Sequence, residues 1–161
     1  MHHPFALITD STIDENAAYF TAHDIRFVPL SFTIDNRTIE EDCGQTLSFH
    51  AFYDLLREGK QASTAQAKLD TFLQLFRSAL DAGQDILYVG FSSGLSGTFH
   101  AGCIARDELA PLYPDRKIFC VDSLSATGGE YLLVDKARAM RDSGCSAEVT
   151  AAAIEEMRLH V

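Results

Sequence analysis

"DILYVGFSSGLSGTFHAG" runs from Asp85 to Gly102. Its apolar run, Ile86–Phe91, reads as a buried strand, and a helical segment follows from about Gly97 to Leu109. Serines, a threonine and glycines crowd the junction. Three chemistries suit such a junction: a nucleophile at a strand-to-helix turn, an anion cradle at a helix N-terminus, or a plain tight turn.

The rest of the chain repeats the alternation. "FALITD" (Phe5–Asp10) is a strand, and "DST" caps a helix whose Ile13, Ala17 and Phe20 recur at helical spacing up to His23. "IRFVPLSFTI" (Ile25–Ile34) is β-rich and turns through "DNRT" into "IEED" as a hairpin, with Pro29 marking an edge or a bulge. Ser48–Gly59 is a capped helix, and Lys60–Ala67 is a polar loop. Phe72, Leu75, Phe76, Ala79 and Leu80 make one helical face, and "KIFCVDS" (Lys117–Ser123) is a strand. Helices from about Ala126 to Asp142 and from Ala147 to Leu159 complete the chain. The order predicts an α/β fold, a three-layer domain whose mostly parallel sheet is covered by helices. Ligands of such sheets sit at the carboxyl ends of the strands, where strand order reverses. Three of these ends carry hydroxyls: "TDST" (Thr9–Thr12), "FSSGLSGT" (Phe91–Thr98) and "VDSLSATGG" (Val121–Gly129).

Composition narrows the function classes. The 161 residues suffice for one domain with a sizeable core, and 47% hydrophobic against 22% charged is an ordinary globular balance. A net charge of −10 with dispersed bases argues against nucleic acid. Cys43, Cys103, Cys120 and Cys145 form no C-x-x-C pair and read as buried free thiols of a cytoplasmic protein. No signal peptide precedes the first strand, Met1–Pro4 being too short and lacking an apolar core, and no apolar run is long enough to span a bilayer. His2, His3, His23, His50, His100 and His160 show no ligand spacing, so neither metal nor cofactor is expected. Phosphate-binding glycine motifs with their lysine are lacking too.

A serine hydrolase is the sharpest enzymatic reading. Gly90, Ser92 and Gly94 spell G-x-S-x-G after a strand, and Asp122 and His160 follow in triad order. Against it, "GLSG" separates Ser92 from the helix start, and His160 is the penultimate residue. A carboxylate cradle asks less: Ser96, Gly97 and Thr98 at a helix N-terminus offer amides, hydroxyls and the positive end of the helix dipole. The plain alternative makes Ser96 an N-cap and Ser92 and Ser93 turn residues.

"ITDST" (Ile8–Thr12), "VPL" (Val28–Leu30), "FSSGLSGTFHAG" (Phe91–Gly102), "VDSLSATGG" (Val121–Gly129) and "LLV" (Leu132–Val134), taken together, resemble the DegV family of bacterial fatty-acid-binding proteins over nearly the whole chain. The family's P-x-T-S-Q-P-S segment is similar to "ASTAQAK" (Ala62–Lys68): Thr64 and Gln66 match, while Ala62, Ala65, Ala67 and Lys68 depart.

The resemblance implies a carrier and no enzyme. It binds a long-chain fatty acid, holding its carboxylate through Thr64 and through Ser93 or Ser96, with Gly97 and Ser92 beside them and Ser11, Thr98 and Ser123 on a secondary rim. It further implies a fatty-acid kinase as partner, to which the bound acid is presented. Family members look about twice as long, with a second α/β domain over the acyl chain. Residues 1–161 are thus expected to be the N-terminal domain, the C-terminal one being absent from the chain, and the open face would favour self-association. The hydrolase remains the runner-up, beside a truncated remnant that binds nothing.

Overall fold

The computed structural model describes residues 3–161; His2 lies outside the described residues. Four strands form a fully parallel sheet in the order β2-β1-β6-β7: β1 (Phe5–Asp10), β2 (Ile25–Val28), β6 (Asp85–Gly90) and β7 (Ile118–Asp122). The chain moves outward from β1 to β2 and later returns on the other side of β1, so strand order reverses between β1 and β6.

The two faces of β1 show why its first four residues, Phe5–Ile8, are all apolar. Phe5 and Leu7 point to one side with Leu87, Val89 and Val121, under α1 (Ala17–Ala22), α5 (Gly128–Asp142) and α6 (Ala147–Met157). Ala6 and Ile8 point to the other with Ile86 and Tyr88, under α3 (Leu69–Asp81) and α4 (Thr98–Leu109). A strand buried on both faces has no polar position in its period of two.

A second, three-stranded antiparallel sheet, ordered β4-β3-β5, stands apart: β3 (Ser31–Ile34), β4 (Arg37–Glu40) and β5 (Ala62–Ala65). The run Ile25–Ile34 is therefore two strands in two sheets, split around Pro29, whose missing N–H and fixed φ end β2. The expected polar loop Lys60–Ala67 contains β5, a correction to the sequence reading. All four β5 residues are exposed, and β5 is a strand because β3 supplies its ladder, Ser31 opposite Ala65 and Phe32 opposite Thr64.

The helix expected from "DST" to His23 is a second correction. Ser11–Ile13 make one 3-10 turn, Asp14 adopts φ 57 and stops it, and α1 restarts at Asn16, whose side chain accepts the Tyr19 N–H over 3.0 Å. Helix α5 begins at Gly128, two residues later than expected, because Thr127 takes φ 50. Helix α2 (Phe49–Arg57) buries none of its residues fully and rests Phe52 edge-on against Phe32, ring centroids 5.1 Å apart. Among the described residues no helix is long and apolar enough to cross a membrane.

Candidate functional site

The small sheet leans over the carboxyl ends of the large one and leaves two adjoining cavities. The larger, about 540 Å³, lies between α2 and β3–β4, walled by Phe32, Ile39, Leu47 and Phe52 and rimmed by acids from Asp14 to Asp42. The smaller, about 260 Å³, brings Thr64 to Ser11, Thr12, Phe91, Ala126 and Thr127, the residues just past β1, β6 and β7. Ser11, Phe32, Glu41 and Thr64 line both. Among the described residues neither is lined by lysine or arginine.

Each hydroxyl named from the sequence has a definite place. The Thr64 and Ser93 hydroxyls have no hydrogen-bond partner among the described residues, so both are free to donate to a ligand; Thr64 lines both cavities, Ser93 neither. Ser96 sits beside the N-terminus of α4, where its Oγ accepts the Thr98 N–H (3.2 Å) and lies 2.9 Å from Thr98 Oγ1. Thr98 Oγ1 also accepts the Ala67 N–H (3.2 Å). One of the two hydroxyl protons is spent between Ser96 and Thr98, which leaves the other to donate. Gly97 packs against the Gln66 side-chain amide, so the segment after Thr64 is seated on the first turn of α4.

Other hydroxyls are committed to the fold. Ser11 Oγ accepts the Leu30 N–H at 3.1 Å and supports Glu41, whose carboxyl is pushed up by burial and pulled back by Cys43 N–H and Ser11. Ser123 Oγ donates to the Ser125 carbonyl (3.0 Å) and accepts its N–H (3.1 Å). Ser92 is buried, its Oγ accepts the Gly94 N–H at 3.3 Å, and α4 starts six positions later, so the strand does not turn directly into a helix at Ser92. Asp122 accepts Ser93 N–H and Leu124 N–H through one oxygen, both at 3.1 Å, and His160 is exposed beyond α6. Among the described residues no hydrogen bond joins Ser92, Asp122 and His160.

Beneath the smaller cavity lies a feature the sequence reading missed. Asp10 and Glu130 are both fully buried. Asp10 accepts Tyr88 Oη–H (2.9 Å) and Phe91 N–H (2.9 Å) through Oδ2, and Thr12 N–H (3.2 Å) through Oδ1. Thr12 Oγ1 stands 2.6 Å from Asp10 Oδ1 and 2.6 Å from Glu130 Oε2, while Thr9 Oγ1 donates to Glu130 Oε1 at 3.3 Å. Burial first, and the Asp10 charge second, push the Glu130 carboxyl up to about 9. Burial also raises Asp10, against the pull of its donors. A signal was present: Glu130 shares the i, i+3, i+4, i+7 face of Leu133, Val134 and Ala137, the buried face of α5. Among the described residues no group of three His, Cys, Asp or Glu side chains could hold a metal.

The family model described as "Uncharacterised protein, DegV family" matches residues 4–161. A DegV domain-containing protein of Clostridium perfringens is 38% identical over 152 residues, covering 94% of this chain and 52% of that protein. Among solved structures, a DegV family protein from Thermus thermophilus, described for its fatty acid binding, is similar with a TM-score of 0.82 and 26% identity, over 97% of this chain and 54% of that one. The Streptococcus pneumoniae Fatty Acid Kinase (Fak) B3 protein, solved loaded with linoleic acid, gives a TM-score of 0.79 and 25% identity over 96% and 54%. The chain spans about half the length of these relatives.

Proposed function

The chain belongs to the DegV family, and from that premise we propose that it supplies the hydroxyl-bearing part of a fatty-acid site, acting as a carrier and not as a catalyst. The observation that carries this reading is the position of Thr64. Its unpartnered hydroxyl lines both the cavity at the strand ends and the apolar cleft beside it. Within the cavity a carboxylate accepts from Thr64; Ser93, Ser96 and Thr98 line neither cavity, and their part as further donors beside the N-terminal amides of α4 is taken from the family resemblance. The acyl chain runs along Phe32, Ile39, Leu47 and Phe52. Glu15, Glu40 and Asp42 line the larger cavity and not the smaller, and repel a carboxylate there, which favours seating the head group in the smaller one.

Energetics assign the parts different tasks. Each buried methylene contributes about 0.8 kcal/mol, whereas a charge-assisted hydrogen bond adds ~1.5–3 kcal/mol. Enclosure of the chain dominates affinity, and hydroxyls select the head group. In our reading this domain forms one wall, and a second domain of the size the relatives' length allows forms the other. A head group held by neutral donors, without an arginine clamp, keeps an oxygen accessible to a kinase that would phosphorylate it. That partner is proposed from the family alone.

Organic extraction of the purified protein followed by mass spectrometry tests the reading. A co-purified long-chain fatty acid, depleted in Thr64→Val, is the expected result. Covalent labelling of Ser92 by a fluorophosphonate, with no lipid in the extract, overturns it in favour of hydrolysis.

A further inference from the structure

The contacts of Thr12 impose a proton count. A hydroxyl carries one hydrogen, yet Thr12 Oγ1 lies 2.6 Å from a carboxyl oxygen on each side, Asp10 Oδ1 and Glu130 Oε2. Only one of these contacts is made with the threonine proton, so the other requires a proton on a carboxyl. Its location follows from the remaining partners. Asp10 accepts from two N–H groups and the Tyr88 hydroxyl, which favours its charged form. Glu130 has, besides Thr12, only the longer contact from Thr9. The proton therefore sits on Glu130, and the chain runs from its O–H to Thr12 and from the Thr12 hydroxyl to Asp10.

Thr12 is also bound through its backbone. Its carbonyl accepts the N–H of Thr127 over 3.1 Å, and Thr127 holds φ 50, a conformation that a β-branched residue keeps only when its surroundings impose it. Thr12, Ala126 and Thr127 are neighbouring wall residues of the cavity that Thr64 lines. The buried acids thus fix the same residue that fixes the cavity wall. The charges facing Glu130 are Asp10 on β1 and Asp14 after the 3-10 turn, both acidic, and Tyr88 on β6 spends its hydroxyl on Asp10. A second negative charge here would have no countercharge and would repel a carboxylate ligand above it.

We propose that Glu130 is a positioning residue stored as a neutral acid, whose proton, relayed through Thr12 to Asp10, holds the Ala126–Thr127 wall in place, so that losing this proton loosens the wall and releases an acidic ligand. The ligand half of this inference rests on the fatty-acid reading; the proton half does not. Burial and the Asp10 charge, which place the Glu130 carboxyl at about 9, set the pH at which the change occurs.

Three measurements on the whole chain test it. Infrared spectroscopy of ligand-free protein should show a protonated buried carboxyl at neutral pH that vanishes as pH rises through about 9 and is missing in Glu130→Gln. The Gln amide can donate to Thr12 and accept from Thr9, so this variant keeps the geometry without the titration. The exchange protection factor of the Thr127 N–H should fall over the same range in the unmodified chain and stay level in Glu130→Gln. Retention of oleate should weaken roughly tenfold across that range, the scale of one lost hydrogen bond, and stay flat in the variant. A carboxyl band unchanged by Glu130→Gln, or Thr127 protection that falls equally in both proteins, overturns the proposal. If the band and protection behave as expected but neither protein retains oleate at neutral pH, the proton relay stands and the fatty-acid reading fails. Should Glu130→Gln lose its fold, Thr12→Val provides the second variant: with the bridge removed, Thr127 protection must already be low at neutral pH, and full protection there refutes the relay.

Discussion

Ala67 N–H donates to the Thr98 hydroxyl across 3.2 Å, both residues being buried, and this bond fastens the segment carrying Thr64 to the first turn of α4. Strand β5 is exposed along its length and, among the described residues, pairs only with β3, so its carboxyl end depends on that attachment. A hydroxyl proposed to bind ligand from an edge strand can do so only if the strand does not swing.

Thr98→Val should therefore cost about 1–3 kcal/mol, since the buried Ala67 N–H loses its acceptor. Urea denaturation measures the loss. Thr98→Ser, which keeps the oxygen, should recover most of it. Oleate retention should follow the same order, because Thr64 moves with Ala67.

Thr64→Val separates binding from stability. The Thr64 side chain is exposed and makes no hydrogen bond within the described protein, so its urea midpoint should stay unchanged. Lipid retention should drop by about 1–3 kcal/mol, because an ionised acceptor is left underpaired. Ser123→Ala should do the reverse, lowering stability through its lost bonds to Ser125. Calorimetric titration with oleate alongside denaturation distinguishes the two outcomes.

Stability should fall with rising pH. The Glu130 carboxyl is near 4.5 in the unfolded chain and about 9 when folded, so the unfolded state binds fewer protons between those values. The contribution is full below 4.5 and is lost progressively up to about 9. Its slope is on the order of a kcal/mol per pH unit within that window. Thermal melts of Glu130→Gln should be flatter with pH between 4.5 and about 9; melts with an identical slope there would contradict a buried neutral acid.

Gly102→Ala and Gly97→Ala should differ although both lie near the start of α4. A Cβ at Gly102 would stand 2.6 Å from Cε1 of Tyr88, a ring locked between Phe72, Phe76 and Phe99. Overpacking of this kind costs about 1–3 kcal/mol. At Gly97 the added methyl meets only the end of the Gln66 side chain, which can rotate away. The stability loss should be small, and the effect should appear in ligand retention through the displaced Thr64 segment.

Local features carried much of the fold into the sequence. Phe5–Ile8 and Ile86–Val89 of the parallel strands are apolar at successive positions, as burial on both faces demands, and Ser48 and Ser146 precede helices as side-chain caps. The clustering of Ser and Thr at the carboxyl ends of β1, β6 and β7 follows from the β–α order alone. These signals are local because a strand's period or a helix's cap involves residues a few positions apart.

Pairings between distant residues were not legible. "ASTA" (Ala62–Ala65) has no apolar period, and only the ladder offered by Ser31–Ile34 makes it a strand and turns Thr64 toward the strand ends. Ser11 and Thr64 look alike as hydroxyls in polar loops, yet Ser11 is spent on Leu30 and Thr64 is free. Asp10 reads as the polar last residue of β1 where the turn opens, and Glu130 as one acid of α5. Their meeting across Thr12, 118 positions from Glu130, exists only once helix α5 packs over the sheet. The sequence by itself determined which segments alternate and where hydroxyls gather, since those depend on neighbours along the chain; the tertiary structure alone decided which hydroxyls remain free and where a proton is stored, because desolvation and hydrogen-bond competition depend on neighbours in space.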